Sequence, residues 1–92
     1  MIRSFRCIDT QALFAGESVP SLANIRAVAE RKLQMIASAC TVGFLRSPPG
    51  NRLEALKGDR EGQFSIRIND QWRICFRFED GDAFDVEIVD YH

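Results

Sequence analysis

Phe64-Ser65-Ile66-Arg67-Ile68-Asn69-Asp70-Gln71-Trp72-Arg73-Ile74-Cys75-Phe76-Arg77-Phe78 is the stretch that decides the fold. Phe64, Ile66 and Ile68 alternate with polar residues, and Trp72, Ile74, Phe76 and Phe78 resume the alternation after a turn-forming Asn-Asp-Gln. A period of two over this length is the mark of half-buried β-strands, and the break between the runs marks a hairpin. Burying both apolar sets on one face requires an odd loop, which pairs Ile68 with Trp72 and Arg67 with Arg73. The same logic across Glu79-Asp80-Gly81-Asp82-Ala83 pairs Phe78 with Phe84. That register sets Arg77 against Asp85 as an ion pair, and Arg73 against Val89 with Tyr91 on the diagonal.

Working outward, residues 83 to 92 read as a last strand that carries Asp90, Tyr91 and His92 to the terminus, His92 and Tyr91 being the sole residues of their types. Toward the N-terminus, Ile2 to Arg6 suits a short first strand. Asp9 or Thr10 can then cap a brief helix through Phe14 that Gly16 closes. Pro20 and Ser21 open a long helix whose Leu22, Ile25, Val28, Ala29, Leu33, Ile36 and Cys40 recur at helical spacing, leaving Arg26, Glu30, Arg31 and Gln34 outside the apolar stripe. Ser47-Pro48-Pro49-Gly50-Asn51 breaks that helix, and Lys57 to Gly62 is a loop. The expected class is α+β: two N-terminal helices packed on a mostly antiparallel, twisted sheet, in one domain spanning 1–92.

The 92 residues can bury roughly two-thirds of their unfolded surface, enough for one core. A hydrophobic share of 46% beside 27% charged residues excludes a disordered chain. No apolar run approaches the length of a membrane span, and none of signal-peptide character follows Met1, so the expected location is the cytoplasm with no membrane partner. Cys7, Cys40 and Cys75 are odd in number and widely spaced, and with a single His they suggest neither a disulfide framework nor a metal site. The net charge of -1 conceals an asymmetry: all twelve basic residues lie at or before Arg77, and residues 1–78 carry +5 against seven acids. A local excess of that sign attracts polyanions. Within it, the two opposed arginines should repel one another. An anion would relieve the repulsion, and Arg is the side chain best matched to a phosphate, through bidentate hydrogen bonds. Splaying into water, or pairing with Glu87, is the competing resolution.

Three segments in order, Arg52-Leu53-Glu54-Ala55-Leu56-Lys57-Gly58-Asp59, Ser65 to Phe76, and Val89-Asp90-Tyr91-His92, resemble the HigB toxins of the RelE/ParE superfamily. The likeness is nearest to the GraT-like members that share Pro-Pro-Gly-Asn-Arg-Leu-Glu-Ala-Leu, here residues 48–56. It covers the whole chain and is most specific from Ser47 onward. The resemblance implies a metal- and cofactor-independent endoribonuclease that enters the ribosomal A site and cuts translated mRNA. It also implies a cognate helix-turn-helix antitoxin of the HigA type, with operator DNA reached only through that antitoxin. By the same likeness Arg73 stabilises the transition state, and Asp90, Tyr91 and His92 form the terminal catalytic group. Lys57, Arg67, Arg52 and Arg60 hold RNA phosphates. Where several HigB toxins carry His in an Arg-Leu-His-Pro-Leu-Lys segment, this chain has Glu54, a carboxylate that is a weaker base than imidazole unless burial raises its pKa, which suggests a slower, milder toxin. The competing role for Glu54 is a salt bridge to Arg52 or Lys57. The rival readings are a ParE-like toxin that poisons DNA gyrase without nuclease chemistry, and a regulator-binding module of weak toxicity.

Overall fold

The computed structural model describes residues 1–91, and the expectation for His92 lies outside the described residues. Helix α1 spans Ile8–Phe14 and α2 spans Arg26–Ser38; they precede a four-stranded antiparallel sheet of β1 (Glu54–Ala55), β2 (Phe64–Arg67), β3 (Trp72–Glu79) and β4 (Asp82–Asp90), in the order β1-β2-β3-β4. The α+β class and the helices-then-sheet layering therefore hold.

The helix boundaries differ from the sequence reading in instructive ways. The residue preceding α1 is Cys7 in an extended conformation, with no side-chain cap. Thr10 is instead fully buried within α1, and its Oγ1 accepts from the Ile88 N–H at 3.0 Å, so its hydroxyl ties the helix to β4. Gly16 closes α1 as expected, at φ 89°, with its N–H donating to Leu13 O at 3.0 Å. Pro20–Ile25 is a 3-10 segment, and α2 begins only at Arg26. On α2 the buried face is Ala29, Lys32, Leu33 and Ile36, whereas Cys40 falls beyond the helix end and is exposed.

The central hairpin has the expected register: Ile66 pairs with Ile74 and Arg67 with Arg73, and Ile74 continues the row to Ile88. Ile66, Ile74 and Phe76 are completely buried beside Leu13, Ala29, Leu33, Ile36 and Leu45. Each such side chain contributes about 1.5–3 kcal/mol through removal from water. The β3–β4 hairpin departs from expectation. Its turn is the two-residue Asp80-Gly81 with φ 50° and 82°, so Phe78 pairs with Ala83 and Arg77 with Phe84, rather than Phe78 with Phe84. One extra residue in β4 then restores the register between Arg77 and Cys75, and Arg73 does pair with Val89. Asp85, at φ 54°, lies in this bulge. Phe84 consequently packs under the Arg77 guanidinium, 5.4 Å from ring centroid to Cζ, while Ala83 and Val86 are fully buried.

The same bulge explains why the first strand does not form. Residues 2–6 run parallel to β4 but make only isolated bridges, Ile2 with Ala83 and Phe5 with Val86. Between them the ladder is interrupted where the Asp85 N–H turns to Ser4 Oγ at 2.9 Å.

Candidate active site

β2 and β3 deliver Arg67 and Arg73 side by side to the sheet face opposite Ile66 and Ile74. Two guanidinium groups in that position repel, and the molecule handles them differently. Arg73 is only 9% exposed, so it is not a solvated outer residue. Its Nε donates to Ser65 Oγ at 2.8 Å, and its Nη2 to the Arg52 carbonyl at 2.7 Å and the Ser65 carbonyl at 3.5 Å. Glu54 Oε1 stands 3.7 Å from the same Nη2. A buried cation is tolerable only when its donors are satisfied in this way. Arg67 instead forms a close ion pair with Asp70 on the hairpin loop. The repulsion is thus offset by Glu54 and Asp70, two carboxylates of the chain itself. Glu87, the other candidate partner, is occupied elsewhere.

Arg52 reaches Arg73 because it adopts the left-handed conformation, φ 46° and ψ 56°, just after the 3-10 turn Pro49–Asn51. A non-glycine residue held there stores about 1 kcal/mol or more of strain, tolerated where the surroundings over-determine it. Tyr91 closes the arrangement: the Arg73 Cζ lies 5.8 Å from its ring centroid, and its backbone N–H donates to Gln71 O. Cation–ring attraction at this separation fixes the phenol over the guanidinium.

Arg52, Arg67, Asn69, Asp70, Arg73 and Tyr91 line a polar pocket of about 250 Å³. Of the residues singled out in the sequence, Arg52, Arg67, Arg73 and Tyr91 come together here, with Glu54 held beside Arg73 at the margin. Asp90 pairs across the sheet with Trp72, and its Oδ2 accepts from Gln71 Nε2 at 3.1 Å. Lys57 is exposed and does not line the pocket. Arg60 does not line the pocket either, and its Nη1 donates to Glu87 Oε1 at 2.8 Å and Gln63 Oε1 at 3.0 Å. That hydrogen bond to Glu87 holds the Arg60 guanidinium even more firmly protonated than usual. Paired with Glu87 across the sheet, Cys75 is buried, and that burial pushes its thiol above the ordinary range, which suits an inert residue.

Sequence reasoning missed Ser65, Asn69 and Asp70. Asn69 had a legible role as a turn former: its Oδ1 accepts from the N–H groups of Gln71 and Trp72, both at 2.8 Å. Nothing in the one-dimensional pattern distinguishes Ser65 from any other polar strand residue. Among the described residues, no cluster of His, Cys, Asp and Glu is arranged to hold a metal ion.

A helical pair on a four-stranded antiparallel sheet, with a pocket walled by arginines at one end of the sheet, defines a RelE-type fold. The solved structures agree on the fold: a YafQ mutant from E. coli superimposes with a TM-score of 0.66 at 10% identity, covering 98% of this chain and 91% of that one. The YoeB–YefM complex from Staphylococcus aureus gives 0.59 at 18% identity, covering 100% and 95%. Residues 16–92 match the model of the HigB-like toxins, described as RelE-like toxins of the type II toxin–antitoxin system HigB. Endoribonuclease HigB of Proteus vulgaris is 38% identical over 95 residues, the whole of both chains. Toxin HigB-1 of Vibrio cholerae is 47% identical over 53 residues, 58% of this chain and 56% of that one. The chain belongs to the HigB-like family of RelE-like toxins of type II toxin–antitoxin systems. A toxin of that class has an antitoxin as its partner. No helix of the described residues is long and apolar enough to cross a membrane.

Proposed function

We propose that this chain is an endoribonuclease toxin that cleaves mRNA on the ribosome by attack of the ribose 2′-OH on the adjacent phosphorus, and so halts translation. The observation that carries the reading is the pocket in which Arg67 and Arg73 face one another with Tyr91 above. Full-length similarity to Endoribonuclease HigB of Proteus vulgaris supports it.

Transesterification by a neighbouring hydroxyl needs three things: a base for that hydroxyl, positive charge where the phosphorane oxygens gain negative charge, and an acid for the departing 5′-oxygen. Arg73 supplies the positive charge from a fixed position, since Ser65 and the Arg52 carbonyl hold its guanidinium before substrate arrives. Preorganised charge of this kind costs no rearrangement as the transition state forms. Arg67 and the Arg52 side chain bind flanking phosphates, and substrate displaces Asp70 from Arg67 as it enters. Glu54 serves as the base. The end of the chain, Asp90, Tyr91 and His92, provides the acid and its orientation. Lys57 and Arg60 act outside the pocket, as contributors to the basic field that draws in RNA.

The pocket is small and open, and ordering a flexible RNA within it is a separate task that the ribosome performs by presenting a constrained codon. The antitoxin that accompanies the toxin is a helix-turn-helix protein of the HigA type, and it restrains the activity by blocking access to the ribosome. The test is cleavage of mRNA on programmed ribosomes, mapped by 5′ ends, with the wild type and Arg73→Ala side by side. Discrete cuts in translated codons that vanish in the variant support the reading. Loss of DNA supercoiling with intact mRNA would replace it with gyrase poisoning.

A further inference from the structure

The buried face of α2 contains one residue that does not belong to an apolar stripe. Lys32 sits among Ala29, Leu33 and Ile36, and is 7% exposed. A methionine would fill such a position without the cost of desolvating an ammonium group. That cost is visible: burial, together with the neighbouring Arg31 and Arg67 charges, pushes the Lys32 ammonium below its ordinary range. What the cation gains is a short hydrogen bond from Nζ to the Oδ1 of Asn51.

Asn51 is completely buried, and each polar atom of its side chain is engaged. Its Nδ2 donates to the Leu45 carbonyl at 3.1 Å and the Ser47 carbonyl at 3.4 Å, while its backbone N–H donates to Pro48 O at 2.9 Å. The next residue is Arg52, held in the left-handed conformation that turns its carbonyl onto Arg73 Nη2. A chain of three links thus runs from the helix layer, through the loop, to the guanidinium in the pocket. Lys32 does not itself line that pocket, so it is not a substrate ligand.

We propose that Lys32 is a positioning residue for Arg73, acting through the Asn51 side chain and the carbonyl of Arg52. The inference rests on the reading of Arg73 as the transition-state cation. Without the ammonium, Asn51 Oδ1 is left buried and unmatched. The turn that ends in a strained Arg52 then loses the support that over-determines it. The Arg52 carbonyl moves, and Arg73 is no longer preorganised.

The test is a cycle of Lys32→Met and Arg73→Ala in single-turnover cleavage on programmed ribosomes, with ribosome affinity and the Arg73 Nε–H resonance measured in parallel. Lys32→Met should slow cleavage tenfold or more and leave affinity within twofold. It should add nothing in the Arg73→Ala background, because groups acting as one unit are not additive. It should also shift the Arg73 Nε–H signal while the β3 and β4 amides stay in place. Lys32→Gln, which retains an N–H donor on a shorter arm, should recover part of the rate. Equal loss in both backgrounds, or an unmoved Arg73 signal, would overturn the proposal. If Arg73→Ala leaves cleavage intact while Lys32→Met still shifts the Arg73 signal, the relay stands and the catalytic reading of Arg73 fails. Should Lys32→Met not fold, Asn51→Ser enters the same cycle with the same expected outcomes.

Discussion

The two ends of the β3–β4 hairpin treat their arginines in opposite ways. At the turn end, Arg77 lies 3.0 Å from Asp85 and 3.3 Å from Glu79, and Arg3 lies 3.1 Å from Asp82, so every guanidinium named there has a nearby carboxylate on its own or an adjacent segment. At the other end, Arg67 and Arg73 face one another across the ladder, and among the described residues the carboxylate beside each comes from outside the two strands, Asp70 or Glu54. The first arrangement is what stability alone produces. The second retains a local conflict that folding does not require, and such conflicts gather where a sequence answers to function.

Substitutions separate the two ends. The largest effect is expected at Arg73: Arg73→Ala should reduce single-turnover cleavage by about 10³-fold, and Arg73→Lys should recover little, because a point charge cannot make the fork of bonds to Ser65 and Arg52. A cleavage rate within tenfold of wild type would place the chemistry elsewhere. Glu54 comes next. Glu54→Gln should cost about 10²-fold if the carboxylate takes the 2′-OH proton, and Glu54→His should equal or exceed the wild type near neutral pH. An unchanged rate in Glu54→Gln would reduce Glu54 to an ion-pair partner of Arg73 and move the base into the terminal group.

At the turn end the readout becomes stability. Asp85→Val should lower unfolding free energy by about 2 kcal/mol, since a β-branched residue resists φ 54°, whereas Asp85→Asn tolerates that conformation and should lose less than about 1 kcal/mol with its exposed ion pair. Neither should alter cleavage beyond its effect on folding, as denaturant titration beside the ribosome assay would show. The smallest effect concerns Asp82, whose carboxyl the Arg3 guanidinium holds below the usual carboxylate range. A folded value below the unfolded one adds stability that is fully present above the unfolded pKa and lost as pH falls through the folded value. Asp82→Asn should therefore lower the melting temperature slightly on the neutral side, flatten the fall below about pH 4, and converge with the wild type at the acid end.

The legibility of this molecule in its sequence follows the same division. Alternation from Phe64 to Phe78 revealed the pairing of Arg67 with Arg73, because one buried face permits a single register. Alternation also predicts the pairing of Arg73 with Val89, but only because two departures cancel: the turn is one residue out of the expected phase, and the bulge at Asp85 restores it. Aspartate is depleted in strands and enriched at positive φ, but Asp85 stands among Glu79, Asp80, Asp82, Glu87 and Asp90, so the pattern does not single it out as the bulge. The burial of Arg73 was hidden for a different reason. Its partners, Ser65 and the carbonyl of Arg52, lie 8 and 21 residues away, and a backbone carbonyl leaves no trace in composition. Clustering of basic residues likewise does not reveal that Arg60 is paired with Glu87.

The extra residue at Asp85 works as a phase shifter. Upstream of it, β4 turns Ala83 to the core and Phe84 outward; downstream, Val86 and Ile88 continue inward, and Val89 keeps step with Arg73. A one-residue deletion there should therefore be far more disruptive than most substitutions in the strand, because only one half could keep its side. Either the turn end would retain its packing and Tyr91 would leave the pocket wall, or Tyr91 would stay and Ala83 would be expelled from the core. Drift in this family should then tolerate exchanges of side chain around the bulge far more readily than changes in the length of the strand that carries it.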